Sequence, residues 1–451
     1  MFDILIVILA VIFVLGIAIN IHEFGHFAVA KLLGMRVEAY SFFGLGPRIW
    51  GRKIGHTDYR ISAIPLGAYV KLYGDEATGA LEGGESKGEF VPESELYELR
   101  PRWQKFLVMV GGPFMNIMLA LAIPFAGALI YGVPSMPSPV VASVKAGGAA
   151  ERAGIKVGDR IVGFDSQENP SWERIRNDSM IAPNMEIPVV VERNGQRSNL
   201  TIRPTKEDVN GNSVGSLDFA PTEPVIVSPM PDSPAEKAGI QKGDKAISIN
   251  GETVGSIENF KDLIQKYKEN PLNLVVVRNN EPKEITLQAK IGEDGKALIG
   301  AGLSSQSLDR ETASVSQAAA FAVNTNLEII RLTGRVFGQL FAGERSVKDA
   351  GVAGPIGIVQ IISQVVHEQG FVGLISILAL ISLNLGVFNL LPIPMLDGGQ
   401  IAVLAIEGFL ALFGLTLSLA VKEKIQLVGL AMILLLMVTV IFFDVSRLIG
   451  K

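Results

Sequence analysis

Four stretches of this sequence are apolar for long enough to cross a lipid bilayer, and that one feature removes most folds from consideration. A bilayer's hydrocarbon core is about 30 Å thick and takes roughly 20 helical residues to span. Residues 4–33, 106–131, 371–391 and 425–443 each meet that length, the first with a polar interruption after Ile21. Backbone in lipid must satisfy its own hydrogen bonds, so each stretch is expected to be a helix. A region of ordinary soluble composition, 135–308, separates the second stretch from the third. The pattern specifies a multi-span α-helical membrane protein with four transmembrane helices and inserted soluble domains. The first stretch lacks a basic start (Met1-Phe2-Asp3) and a small-residue cleavage site, so it reads as a retained span rather than a signal peptide.

The soluble region carries an internal repeat. Ala153-Gly154-Ile155-Lys156-Val157-Gly158-Asp159 returns as Ala238-Gly239-Ile240-Gln241-Lys242-Gly243-Asp244, 85 residues on (153 to 238). Each copy follows a short helical approach and precedes a β-rich run. A unit of this length with an A-G-[IL]-x-x-G-D core resembles a PDZ domain of the bacterial protease type, and two tandem α+β PDZ-like domains are expected. Beyond them, residues 314–341 show apolar positions at helical spacing (Ala320, Val323, Leu327, Ile330), with a weak point at Thr333-Gly334. This amphipathic segment either lies on the bilayer or packs on the repeats. Residues 401–421 form another apolar stretch, interrupted by Glu407, that reads as an interfacial helix or a further span.

Residues 34–103 are neither span nor soluble domain. Their glycines and β-favouring residues, in Phe42-Phe43-Gly44-Leu45-Gly46-Pro47 and around Pro65-Leu66-Gly67, point to membrane-associated β-hairpins with tight turns. Residues 79–88 read as an exposed Gly/Glu-rich loop. Four spans place both termini and the repeats on one face. Lys31, Arg36, Arg100, Arg102, Lys105, Lys422 and Lys424 mark the other face as cytoplasmic, with Arg447 and Lys451 opposing. The net charge of −5 and the lack of a basic stripe exclude nucleic acid as a partner. The chain has no cysteine, so any metal must be held by His, Asp or Glu.

The polar interruption of the first span is His22-Glu23-Phe24-Gly25-His26, an H-E-x-x-H motif. On a helix, positions four apart return to nearly the same face, so both imidazoles can bind one Zn²⁺, leaving Glu23 as general base. A charged residue at the centre of a membrane helix costs about 2.5–3.5 kcal/mol on insertion scales, so such residues usually mark function. Glu328, Asp397, Glu407 and Asp444 are acidic candidates for a third ligand; His56 and His367 are poorly placed. Asp397 stands out, because spans one and three run in the same direction and end on the same face. A silent scaffold and an ion transporter are the rival classes; no inverted repeat among the spans favours the latter.

These motifs together resemble the site-2 protease family of intramembrane zinc metalloproteases. The match rests on H-E-F-G-H, on Asn389-Leu390-Leu391-Pro392-Ile393-Pro394-Met395-Leu396-Asp397-Gly398-Gly399, and on the PDZ-like repeat between them. The resemblance implies that His22, His26 and Asp397 hold Zn²⁺ and that Glu23 is the catalytic acid/base. It implies substrate-binding roles for Asn389, Pro392, Pro394 and Asn116, the last within Gly111-Gly112-Pro113-Phe114-Met115-Asn116. Gly44, Gly46 and Gly67 are implied in substrate handling by the β region. The implied substrate is a single-span membrane protein of the anti-sigma factor type, cut after prior trimming in an envelope stress response. The PDZ-like domains would gate access or bind peptide C-termini. The implied setting is the bacterial inner membrane, with termini and repeats periplasmic and the active site towards the cytoplasm.

The expected division follows. Residues 1–33 are the first transmembrane helix with H-E-x-x-H, 34–103 the cytoplasmic-side β-hairpin region and loop, and 104–132 the second transmembrane helix. Residues 133–221 and 222–308 are the two PDZ-like domains, 309–345 the amphipathic segment and 346–370 a linker. Residues 371–399 are the third span with N-x-x-P-x-P-x-L-D-G-G, 400–424 an interfacial helix or loop, and 425–449 the fourth span.

Overall fold

The computed structural model describes residues 2–64, 67–74, 91–134, 138–209, 212–222, 224–268, 270–279, 281–292, 295–304, 310–346 and 353–449. The expected loop at 79–88 and the Pro65-Leu66 pair lie outside them. The chain divides into two compact units. One comprises Met1–Ile130, Ala313–Arg331 and Val352–Lys451; the other comprises Tyr131–Thr312 and Leu332–Gly351.

The first unit is built on helices α1 (Phe2–Leu32) and α2 (Arg102–Tyr131). Four helices of the described chain are long and apolar enough to cross a membrane: Asp3–Leu32, Arg102–Tyr131, Pro355–Asn389 and Ala420–Ser446. The third begins well before the expected 371, within the segment read as a linker. Gly370 explains the difference: at φ 62° and ψ −146° it breaks the element into two helical pieces, the second starting where the apolar run starts. Ala10, Val14 and Ala18 of α1 pack on Ile362, Leu374 and Leu378 of this third helix, forming a small-residue seam that lets the two backbones approach.

Between α1 and α2 lies a four-stranded sheet of β1 (Val37–Ser41), β2 (Leu45–Ile54), β3 (Thr57–Ile64) and β4 (Tyr69–Leu72). The strand order is β2-β3-β1-β4, which leaves β2 and β4 as edges. Gly44 closes its turn at φ 101°, with its N–H donating to Gly67 O at 2.8 Å; a Cβ there would strike the Ser62 and Ile64 carbonyls. Beside it, Phe43 packs on α1 at Gly16.

The second unit holds the repeats. In the first copy the strands are β5 (Ser138–Val144), β6 (Arg160–Phe164), β7 (Ile187–Arg193), β8 (Gln196–Ile202) and β9 (Phe219–Thr222), in the order β8-β7-β6-β5-β9. In the second they are β10 (Val225–Pro229), β11 (Asp244–Ile249), β12 (Leu272–Arg278), β13 (Glu281–Leu287) and β14 (Ala301–Ser304), in the order β13-β12-β11-β10-β14. The two orders correspond strand for strand. Alternating residues of each sheet, such as Ile187, Val189 and Val191 or Leu272, Leu274 and Val276, fill a separate core. Short helices α3 (Ala149–Arg152) and α5 (Pro234–Lys237) precede the two A-G-I turns, and the longer α4 (Trp172–Met180) and α6 (Ile257–Lys266) each pack on their own sheet's core. Ser256, the N-cap of α6, also donates to Ser143 Oγ of the first copy at 3.2 Å.

The amphipathic segment is one unbroken helix, α7 (Val315–Phe341), with no interruption at Thr333-Gly334. In the first unit its buried Asn326 donates to Ala120 O of α2 at 3.1 Å. In the second unit Arg335 pairs with Asp165 and Asp178, and Arg345 donates to Ile181 O at 3.0 Å. These polar anchors hold a helix whose sequence allows a bend. The remaining helices are α8 (Pro355–Asn389), α9 (Asp397–Ala411) and α10 (Leu419–Ile449), the last starting six residues before the expected 425.

Candidate active site

The site begins on α1, where His22 and His26 share one helical face, their Nε2 atoms 3.2 Å apart. Asp397 reaches them from α9. Pro392 and Pro394 prevent α8 from continuing, because proline lacks an N–H and disfavours helical geometry in the residue before it. The chain turns through Met395 at φ 79° and restarts a helix at Asp397. This is a difference from the expected continuous span 371–399: the aspartate stands at a helix start, not inside one. Its Oδ2 lies 3.1 Å from His22 Nε2, and its Oδ1 lies 3.5 Å from His26 Nε2.

These separations test whether the residues fit a metal. Ligands held about 2.0–2.1 Å from a tetrahedral zinc ion sit about 3.3–3.4 Å from one another. The three distances scatter around that value. Asp397 Oδ2 is buried without a hydrogen-bond partner among the described residues. Two imidazole nitrogens and one carboxylate aimed at a common point are the donor set of a catalytic zinc site, in which three protein ligands leave a fourth position open.

Glu23 follows His22 on the helix. The backbone of Val70 in β4 lies near its carboxylate, which brings that strand beside the metal-type cluster. Helix α2 backs the histidines. His26 Nδ1 lies 2.7 Å from Val108 O, and a carbonyl only accepts, so the proton sits on Nδ1 and the Nε2 lone pair is free. The helices meet closely here: Gly25 and Gly111 touch backbone to backbone, and a methyl on Gly112 would overlap His26 Nε2 and His22 Cε1.

The other sequence-predicted residues fall in three places. Asn389 sits at the cluster, its Nδ2 3.3 Å from His22 Nε2. Pro392 is exposed on the α8–α9 turn, and Pro394 packs against α10 at Gly429. Gly44, Gly46 and Gly67 shape the rim of the sheet through positive φ. Asn116 is fully buried, and its Nδ2 lies 3.3 Å from His22 Nδ1. Sequence reasoning missed Val108, whose contribution is a backbone carbonyl and leaves no trace in residue identity. It also missed Ser382, whose Oγ donates to Asn116 O at 2.9 Å.

Comparison with known proteins identifies the family. The model of Peptidase family M50 matches residues 10–436. The Escherichia coli K12 regulator of sigma-E protease RseP is 33% identical, over 96% of this chain and 97% of that protein. Protease RseP of Yersinia pestis is 32% identical over 97% and 98%. A Vibrio cholerae protein whose name describes a zinc metalloprotease is 31% identical over 99% of this chain and 100% of its own length. The chain therefore belongs to Peptidase family M50, the site-2 protease family, and is a membrane metalloprotease.

Proposed function

We propose that the protein is a zinc-dependent endopeptidase that cuts the transmembrane segment of a single-span membrane protein, with an anti-sigma factor as the substrate class. The observation that carries this reading is the convergence of His22, His26 and Asp397 at 3.1–3.5 Å, with Glu23 beside them, the histidines and Glu23 standing on a helix of membrane-spanning length. The names of the relatives support the sigma-E setting.

His22 Nε2, His26 Nε2 and one oxygen of Asp397 would hold the ion. Bound there, zinc supplies Lewis-acid polarisation of the scissile carbonyl and makes a water easier to deprotonate. Glu23 takes the proton from the attacking water and returns it to the amine nitrogen as the C–N bond breaks. The Asn389 amide, 3.3 Å from His22 Nε2, is placed to donate to the carbonyl oxygen of the substrate. A peptide bond inside a helix is shielded by its own hydrogen bonds and must be unwound first. Strand β4, at the edge of the described sheet beside Glu23, offers a backbone partner for the unwound segment, by strand addition. Ile61 to Ile64 belong to β3, an interior strand, so that function falls to β4. Proline substitution at each of Tyr69 to Leu72 tests it: undiminished cleavage by all four variants excludes strand addition there.

The two repeats are PDZ-like domains on this reading, periplasmic with both termini, in an inner-membrane protein whose active site opens towards the cytoplasm. They gate access to the membrane site, admitting substrates already trimmed on the periplasmic side. The decisive experiment co-expresses the chain with a trimmed single-span substrate and compares it with Glu23→Gln at equal expression. The reading expects cleavage only by the unsubstituted chain; equal cleavage by both removes Glu23 from the chemistry.

A further inference from the structure

We infer that Asn116 is a positioning residue whose side-chain oxygen accepts the Nδ1–H of His22, turning the Nε2 lone pair of that histidine towards the metal. The inference rests on the metal-centre reading above. The two amide orientations of an asparagine are assigned from their surroundings, since nitrogen and oxygen occupy the same space. With Nδ2 facing His22 at 3.3 Å, Nδ1 must accept, and the proton is forced onto Nε2. Nε2 then carries a hydrogen at the point where His26 Nε2 lies 3.2 Å away and a lone pair is needed to bind an ion. With the amide turned by 180°, Oδ1 faces Nδ1 at the same separation and accepts its proton, and Nε2 is free. No donor among the described residues reaches Oδ1 where it now stands, so nothing else fixes the amide, and the imidazole decides its orientation.

The second histidine offers an internal parallel. His26 has its proton held on Nδ1 by Val108 O, 2.7 Å away. Val108 and Asn116 stand eight residues apart on α2, either side of the Gly111-Gly112 pair against which α1 lies. One helix therefore supplies both outer partners, an arrangement that fixes tautomer and ring orientation and raises ligand basicity. Asn116 is itself held from the α8 side: its own carbonyl accepts from Ser382 Oγ at 2.9 Å, and Gly386 packs on its Cβ. The side chain is fully buried between these helices.

Two measurements on the full chain test this. Zinc affinity, measured by chelator competition, should fall about 10–100-fold in Asn116→Leu, which keeps the volume and loses the acceptor. Asn116→Asp, which keeps the acceptor, should bind zinc at least as tightly as the unsubstituted chain. Asn116→Leu with affinity unchanged within about threefold overturns the inference while leaving the metal centre intact. An unsubstituted chain that binds no zinc overturns both. The second measurement needs no substitution at Asn116, so a variant that fails to fold does not decide the matter. Ring-nitrogen shifts of [15N]histidine in the metal-stripped chain, with four histidines in all and His22 assigned by His22→Gln, should show the Nδ1–H tautomer. An Nε2–H tautomer at His22 overturns the inference.

Discussion

Asp244 in the second repeat and Asp397 in the membrane unit are both carboxylates withdrawn from solvent, and their surroundings differ in what they leave open. Around Asp244 both oxygens have donors: Arg278 Nε at 2.7 Å on Oδ1, and Arg278 Nη2 at 2.6 Å and the Gln241 N–H at 2.9 Å on Oδ2. Asp159 is closed in the same way by Arg193 and the Lys156 N–H. Asp397 faces two imidazole nitrogens and keeps Oδ2 unpartnered. A buried charge is tolerated when it is paired, so the first arrangement is complete as protein while the second needs a cation. A saturated carboxylate is architecture, and an open one beside two histidines is what the proposed metal centre requires.

The comparison can be broken from either side. The largest effect is expected from Gly112→Ala, whose methyl overlaps both imidazoles at the point where α1 and α2 lie closest, beside the Gly25–Gly111 contact. Zinc affinity should fall by at least about 100-fold, at or beyond the upper end for outer-layer changes, with cleavage lost in parallel; chelator competition on purified protein checks this. Asp244→Asn should leave zinc binding untouched and destabilise the second repeat by about 1–3 kcal/mol, the scale of a hydrogen bond to a charged group. Hydrogen exchange across β10–β14 would report it.

The pH dependence sharpens the same contrast. Burial pushes the Asp244 carboxyl up, but Arg278 and the Gln241 amide outweigh it and hold the group below its ordinary value. A carboxyl depressed in the folded state stabilises fully above the unfolded pKa of about 3.9, and loses that contribution as pH falls through the folded value. The protection difference between the parent chain and Asp244→Asn should therefore be constant from pH 7 to about pH 4 and shrink below it. The smallest effect is expected for Ser143→Ala, which removes one 3.2 Å bond between the repeats and should cost within about 1 kcal/mol by the same exchange measurement.

Much of the membrane site was legible because its chemistry is carried by side chains at fixed spacing: His22, Glu23 and His26 on one helix, and Asp397 after two prolines. The repeat was legible from its Gly-Asp turns, yet their arginine partners were not used, although Arg193 and Arg278 recur with the same 85-residue displacement (193 to 278). Val108 was illegible in principle, since any residue presents a carbonyl. That Asn116 lies beside His22 was not legible, because sequence does not reveal which face of α2 meets α1. The start of the third span at 371 was legible from its apolar run, but the helical piece before it was not, because Ile356 to Gln369 mixes polar and apolar residues and only the backbone at Gly370 shows two pieces joined in one element.

The central claim is that His22, His26 and Asp397 hold a zinc ion which Glu23 uses without binding it. Zinc content and cleavage measured together on the purified full chain, Glu23→Gln and Asp397→Asn test it most directly. The account predicts about one zinc per chain in the first two, cleavage in the first alone, and neither zinc nor cleavage in Asp397→Asn. Full zinc in Asp397→Asn, or cleavage by Glu23→Gln at the parent rate, would contradict it.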